Sequence, residues 1–335
     1  MPATASLTSP TSPPSPVPVI LDVDTGIDDA LAILFAVAHP GLDVLGISCV
    51  AGNVSLESVV ENTLRILDVA GAGDIPVAAG ARRPLIEPAR SAAHVHGAGG
   101  LGALTLPETT RRPVPGSSIE LMHRLIRASS RPVTLVALAP QTNLALLLRQ
   151  YPDVVDNIER IVFMGGSASV GNATAVAEFN VWHDPEAAAI VLDSGVPTYM
   201  YGLDVFNHVA VPEAVADRLA SEASPLAHAV GTLLGTRVTP DSGRVADYSG
   251  LIGDAGALCA LVDPGAMRTE VLPVRVQLAG YGRGQTLVDQ RRHPGEDIVH
   301  GLAEEWEQVE VALDVDADRL ARVFLNTLGL AEPPR

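Results

Sequence analysis

The sequence predicts an open α/β fold: a mostly parallel sheet flanked by helices, with a helix-rich C-terminal part. Three observations carry this. Apolar runs of strand length alternate with stretches of helical periodicity, a pattern that requires parallel strands joined by helical crossovers. Gly-rich loops recur at 93–102, 165–172 and 242–256. Polar residues follow several apolar runs directly, where the carboxyl ends of strands in an open α/β sheet bind ligands.

The elements follow in order. Residues 17–23 form a strand-like apolar run. Residues 28–38 are strongly helical and are ended by His39-Pro40-Gly41, because proline cannot continue a helix and restricts the residue before it. A second strand is expected at 42–50, an amphipathic helix at 55–71 and a short strand at 75–79. The alternation resumes with a helix at 119–129 and a strand at 133–138. Next come a helix at 142–149, a strand at 161–164, a helix at 185–194 and a strand at 198–202. The part from 212 to 330 reads as longer helical segments, expected to pack as a partly separate α-rich lobe. Residues 1–16, rich in Pro, Ser, Thr and Ala, are expected to be a disordered tail without the features of a signal peptide. Residues 17–330 are expected to form one domain, and 331–335 a C-terminal tail.

The chain has 335 residues, and 47% of them are hydrophobic, enough for a large core. Its 39 acidic residues outnumber 22 basic ones, all Arg, for a net charge of −17. Such a chain is repelled by phosphate backbones and anionic membranes, so neither nucleic acid nor membrane is an expected partner. No apolar run approaches the ~18 residues of a membrane span. Cys49 and Cys259 show no metal or redox spacing and fit a reducing cytoplasm.

The most informative segment is Asp22-Val-Asp24-Thr-Gly26-Ile-Asp28-Asp29. Two carboxylates ~4 Å apart repel by roughly 4 kcal/mol at an effective dielectric of ~20. A cluster at the end of a core strand therefore implies a hard divalent cation with oxygen ligands, Ca²⁺ or Mg²⁺. Asp22 and Asp24 alternate along an extended segment and point to opposite sides. Gly26 permits a tight turn. Asp28 and Asp29 open a helix whose dipole favours anions, and capping alone needs fewer than four carboxylates. An EF-hand loop is excluded: Gly26 occupies the fifth position and no Glu the twelfth. An aspartyl-phosphate phosphatase fits poorly, with Gly26 at the fifth position and no Lys to steady a phosphate.

Three further segments bear polar groups. Asn53 follows the second strand in Ala51-Gly-Asn53. His94 and His96 lie in a Gly-rich loop. Met164-Gly-Gly leads to Asn172, Glu178 and Asn180 in a stretch otherwise small or apolar. Clustered amides and carboxylates suit a polyhydroxylated ligand, whose hydroxyls both donate and accept.

Asp22-x-Asp24-x-Gly26-x-Asp28-Asp29, Gly52-Asn53-Val54, His96-Gly97, Gly171-Asn172 and Glu178-Phe-Asn180-x-x-x-Asp184-Pro-Glu186-Ala together resemble the inosine–uridine preferring nucleoside hydrolases. The resemblance runs from about residue 18 to 330. It implies a Rossmann-like domain, assembled as a homodimer or homotetramer and holding one Ca²⁺. It also implies cleavage of a ribonucleoside to free base and ribose, as in purine and pyrimidine salvage. By motif position, Asp24, Asp29, Asp254 and the backbone carbonyl of Leu138 would hold the ion, and Asp24 would take a proton from its bound water. Asp28, Asn180 and Asp254 would grip the ribose 2′- and 3′-hydroxyls, and Asn172 and Glu178 the 5′-hydroxyl. Asn53 would position the ribose, Met164 would line the pocket and His96 would face the base.

One position departs from that pattern. Many members carry a His, the acid for the leaving base, immediately before the residue matched by Asp254; here it is Gly253. His96, Tyr248, Arg244 and Trp182 are the alternative contacts to the base. Restoring the histidine by Gly253→His is expected to raise turnover of poor leaving groups. Two other readings follow from Gly253: a ribosyl-ligand binding protein with little turnover, or a hydrolase of an unusual ribosylated substrate.

Overall fold

The computed structural model describes residues 15–236, 250–302 and 304–331. Most of both tails, together with Arg244 and Tyr248, lie outside them. The first half alternates β1 (Val17–Val23), α1 (Ile27–Ala38), β2 (Leu42–Cys49), α2 (Leu56–Val69), β3 (Val77–Ala79), the short α3 (Ala93–His96), α4 (Ser118–Ala128), β4 (Val133–Ala137), α5 (Thr142–Gln150) and β5 (Ile158–Met164). Then come α6 (Phe179–His183), α7 (Pro185–Leu192), β6 (Thr198–Tyr201), α8 (Leu203–Phe206), α9 (Glu213–Ala220), α10 (Pro225–Leu234) and α11 (Ala255–Val262). The chain ends with β7 (Met267–Val276), β8 (Thr286–Val288), α12 (Glu296–Val299), β9 (Glu307–Val315) and α13 (Ala317–Thr327).

The strands form one nine-stranded sheet in the order β3-β2-β1-β4-β5-β6-β9-β7-β8. Pairing is parallel from β3 to β9, and β7 and β8 are antiparallel. Strand order reverses between β1 and β4, since β1 leads outward to β2 and β3 before the chain returns to β4. That switch point places the carboxyl ends of β1 and β4 beside a crevice. From Val19 on, β1 is buried on both faces, as a central parallel strand must be, and hence reads as a continuous apolar run. Val19, Leu21 and Val23 join the core beneath α1, α2, α10, α11 and α13, whereas Ile20 faces the core beneath α4, α5 and α7.

The C-terminal part differs from its expected character. It contributes helices, but also β7, β8 and β9, and β9 pairs directly with β6. It thus extends the same sheet instead of standing apart as an α-rich lobe. The strands were hard to read because β7 and β9 alternate buried with exposed residues, and β7 contains Pro273 and the charged Arg268 and Glu270. Among the described residues no helix is long and apolar enough to cross a membrane. Cys49 and Cys259 are buried free thiols.

Candidate active site

The chain leaves β1 at Val23 and turns through Asp24, Thr25 and Gly26 into α1. Asp29 makes that turn. Its carboxylate accepts the Gly26 N–H (2.9 Å) and the Asp24 N–H (3.1 Å), closing the first turn of the helix. Asn53, in the loop after β2, ties the two acids together. Its backbone N–H donates to Asp24 Oδ2 (2.7 Å), and its amide donates to Asp24 Oδ1 (3.0 Å) and Asp29 Oδ2 (3.2 Å). Gly52 is required beside it, because a Cβ there would lie 1.9 Å from Asp24 Oδ2.

Asp254, at the start of α11, reaches the same place from the other side. Asp28, Asp29 and Asp254 each offer a carboxylate oxygen within 4.8 Å of the others. Asp24 lies outside this tightest group, and both its oxygens accept from Asn53. Asp28 Oδ1 is buried without a hydrogen-bond partner. Burial, reinforced by neighbouring carboxylates, pushes the pKa of Asp24 and Asp254 well above the carboxylate range. The same causes raise Asp29 to about 7. No basic side chain hydrogen-bonds to this centre among the described residues. Buried carboxylates with an orphaned oxygen and no counter-charge are the donor set of a hard divalent cation, and the residues fit one.

Asn180 and Glu178 come from α6 and its N-cap. Glu178 accepts the N–H groups of Gly166 (2.9 Å), Asn180 (2.9 Å) and Val181 (3.2 Å), and burial raises its pKa to about 7. The Asn180 amide donates to the carbonyls of Leu138 (3.0 Å) and Met164 (3.1 Å), at the ends of β4 and β5. Asn172 accepts the Phe179 N–H at 2.9 Å. His96 Nδ1 accepts the Ile27 N–H at 3.2 Å and lies 3.8 Å from Asp28 Oδ1; burial lowers its pKa.

These groups open on one cavity of about 500 Å³, the scale of a small-molecule site. Asp28, Asn53, His96, Leu138, Met164, Asn172, Glu178, Asn180 and Asp254 all line it, while Asp24 and Asp29 are buried and do not line it. Sequence reasoning missed the apolar wall of Ile27, Phe206, Leu233 and Leu251. It also missed Arg90, whose guanidinium sits 4.7 Å over the Trp182 ring and pairs with Glu87 at 3.0 Å. An aliphatic or aromatic wall residue carries no polar signature, and Arg90 lies in a loop without periodicity. Asp22 points away from the site. Its Oδ1 accepts from the Asn143 amide (2.9 Å), which also donates to Ser48 Oγ and the Cys49 carbonyl.

Gly253 lines the cavity in the left-handed region, at φ +55°, and a Cβ there would stand 2.3 Å from Asp28 Cβ. The expected benefit of Gly253→His is therefore withdrawn: the backbone and Asp28 leave no room for that side chain.

Fold and site together define an α/β protein with a buried acidic centre under a small-molecule cavity. The sequence profile of the inosine-uridine preferring nucleoside hydrolases matches residues 19–322. The chain belongs to that family and is an enzyme of the N-ribosyl hydrolase class. It is 41% identical over 275 residues to the pyrimidine-specific ribonucleoside hydrolase RihA of Enterobacter sp. (strain 638), covering 82% of this chain and 88% of the relative. Among solved structures it is similar to a plant nucleoside hydrolase, PpNRh1 (TM-score 0.83, 30% identity, 93% of this chain and 99% of that one). It is also similar to a purine-preferring ribonucleoside hydrolase from Gardnerella vaginalis (TM-score 0.80, 29% identity, 93% and 98%).

Proposed function

We propose that this chain hydrolyses the N-glycosidic bond of ribonucleosides with the help of one Ca²⁺, giving free base and ribose. The observation that carries this reading is the group of buried carboxylates, without a counter-charge, on the floor of the cavity. Asp24, Asp29, Asp254 and the Leu138 carbonyl would hold the ion, with Asp28 close enough to share it. When bound, the ion lowers the pKa of a water and offsets the carboxylate repulsion. Asp24 accepts the proton of the attacking water. Asn53 fixes its orientation toward that water.

The sugar is held by hydroxyl contacts. Asp28, Asn180 and Asp254 take the 2′- and 3′-hydroxyls, Asn172 and Glu178 the 5′-hydroxyl. Asn53 sets the depth of the ribose, and Met164 packs under it. His96 faces the base. Positive charge grows on the ribose as the bond breaks, and the surrounding carboxylates stabilise it. The names of the relatives divide between pyrimidine and purine nucleosides, so the fold alone selects neither. We place the protein in the cytoplasm, supported by two buried free thiols. We take 17–330 as one domain, supported by the pairing of β9 with β6.

The test is ribose release from a panel of purine and pyrimidine nucleosides, with and without a calcium chelator. Release that the chelator abolishes and Ca²⁺ restores is expected. Tight binding of a ribose analogue with no release from any nucleoside would replace hydrolysis with binding.

A further inference from the structure

Resting on the hydrolase reading above, we propose that the preferred substrates are ribosides whose base is already cationic at the glycosidic nitrogen, such as N-ribosylpyridinium and N7-alkylpurinium ribosides. The argument concerns the departing base. When a neutral nucleoside is cleaved, the electrons of the C1′–N bond leave on the base as an anion, which calls for a proton donor. A cationic base receives the same pair and departs neutral, with no donor.

Among the described residues, which leave out Arg244 and Tyr248, the cavity is short of donors. The position before Asp254 is Gly253, at φ +55°, with Asp28 Cβ 2.3 Å from where a Cβ would stand. His96 accepts the Ile27 N–H on Nδ1, so its one proton sits on Nε2. A neutral imidazole of that tautomer can hydrogen-bond a base but does not surrender its last proton. The Glu178 carboxylate is committed as an acceptor to the N–H groups of Gly166, Asn180 and Val181. The Thr236 hydroxyl donates to the Thr232 carbonyl at 3.0 Å. Arg90 is held between Glu87 and Trp182. Ile27, Phe206, Leu233 and Leu251 have no proton to give. Asp28 and Asp254 also line the cavity and are assigned above to the ion and the ribose, and His94 is exposed at the rim.

Charge points the same way. Asp28, Glu178 and Asp254 line the cavity and Asp24 and Asp29 are buried near them, an acid-rich surround that favours a cationic base over a neutral one. In the reaction, the water oxygen bonds to C1′ as the C1′–N bond breaks. The electron pair of that bond returns to the ring nitrogen and cancels its charge. The water proton passes to Asp24 and then to solvent, so the products are ribose, neutral base and one proton.

The experiment measures ribose release by the full chain in saturating Ca²⁺, from ribosylnicotinamide, 7-methylguanosine, uridine and inosine, between pH 6 and 9. The expected result is kcat/KM for the two cationic ribosides at least about 100-fold above uridine and inosine, the factor a missing acid is worth. Turnover of ribosylnicotinamide, whose ring stays cationic across this range, should also show no alkaline limb. Uridine or inosine within about tenfold of the cationic ribosides, with an alkaline limb reporting a donor, overturns the inference and leaves the hydrolase intact. Ribose release from none of the four overturns the hydrolase reading and this inference with it.

Discussion

In the proposed reaction Asp24 carries the heaviest chemical load of any single residue. Both of its oxygens accept from Asn53, so replacing it by Asn sets amide against amide and removes the proposed base. Asp24→Asn is expected to lower kcat by at least about 10²–10⁴-fold, the range for losing a positioned general base, with the fold unchanged by circular dichroism. Near-normal turnover would reassign the base. Gly253 supports a second prediction. Gly253→Ala forces a Cβ against Asp28 in a backbone conformation L-residues avoid, and should cost about 1–3 kcal/mol in denaturant unfolding. A variant as stable as the parent, with full activity, would show that Asp28 moves freely. At this scale the sequence was informative where polar groups cluster. Nine of the expected residues line one cavity because motif spacing records where loops meet. The apolar wall and Arg90 escaped because a hydrophobic residue reads the same in a cavity wall as in a core.

The short helix α6 is the element on which the site turns, and its sequence gave little warning of it: five residues are too few for a periodic pattern. Glu178 caps it, Asn180 projects toward β4 and β5, and Asp184 at its end accepts from Thr142 Oγ1 (2.6 Å) and the Leu85 N–H (2.9 Å). Asp184 thereby ties the loop carrying Arg90 to α5 and α7. His183 occupies the buried face with neither ring nitrogen hydrogen-bonded, and burial pulls its pKa down to about 4. Its unfolded value is 6.5, so the unfolded chain binds the extra proton first as pH falls. The stabilising effect of a neutral His183 is complete above 6.5 and fades as pH drops toward 4. Between pH 7 and 5 that loss amounts to about 2 kcal/mol. His183→Leu is expected to remove this part of the acid sensitivity, read by chemical denaturation at the two pH values. An unchanged pH dependence would assign the sensitivity elsewhere.

For the molecule as a whole, the acidic centre couples folding to its ion. Asp24, Asp29 and Asp254 are brought together only in the native state, so an ion that binds them stabilises that state alone. At 100-fold above its Kd, Ca²⁺ is expected to add about 2.7 kcal/mol, seen as a rise in Tm that chelation reverses. A Tm indifferent to Ca²⁺ would mean that the carboxylates are not its ligands. The parallel half of the sheet was legible because central strands are apolar throughout, whereas β7–β9 were not, because half-exposed antiparallel strands interleave charges. The two thiols have a practical meaning. Cys49 and Cys259 are fully buried, and burial pushes Cys49 up to about 12 and Cys259 well above the thiol range, so neither presents a thiolate to solvent. The native protein is accordingly blind to maleimides and mild oxidants. A cysteine introduced at exposed Ser91, on the rim of the cavity, becomes its sole labelling handle, and a dye placed there would watch substrates enter and products leave without any prior removal of cysteines.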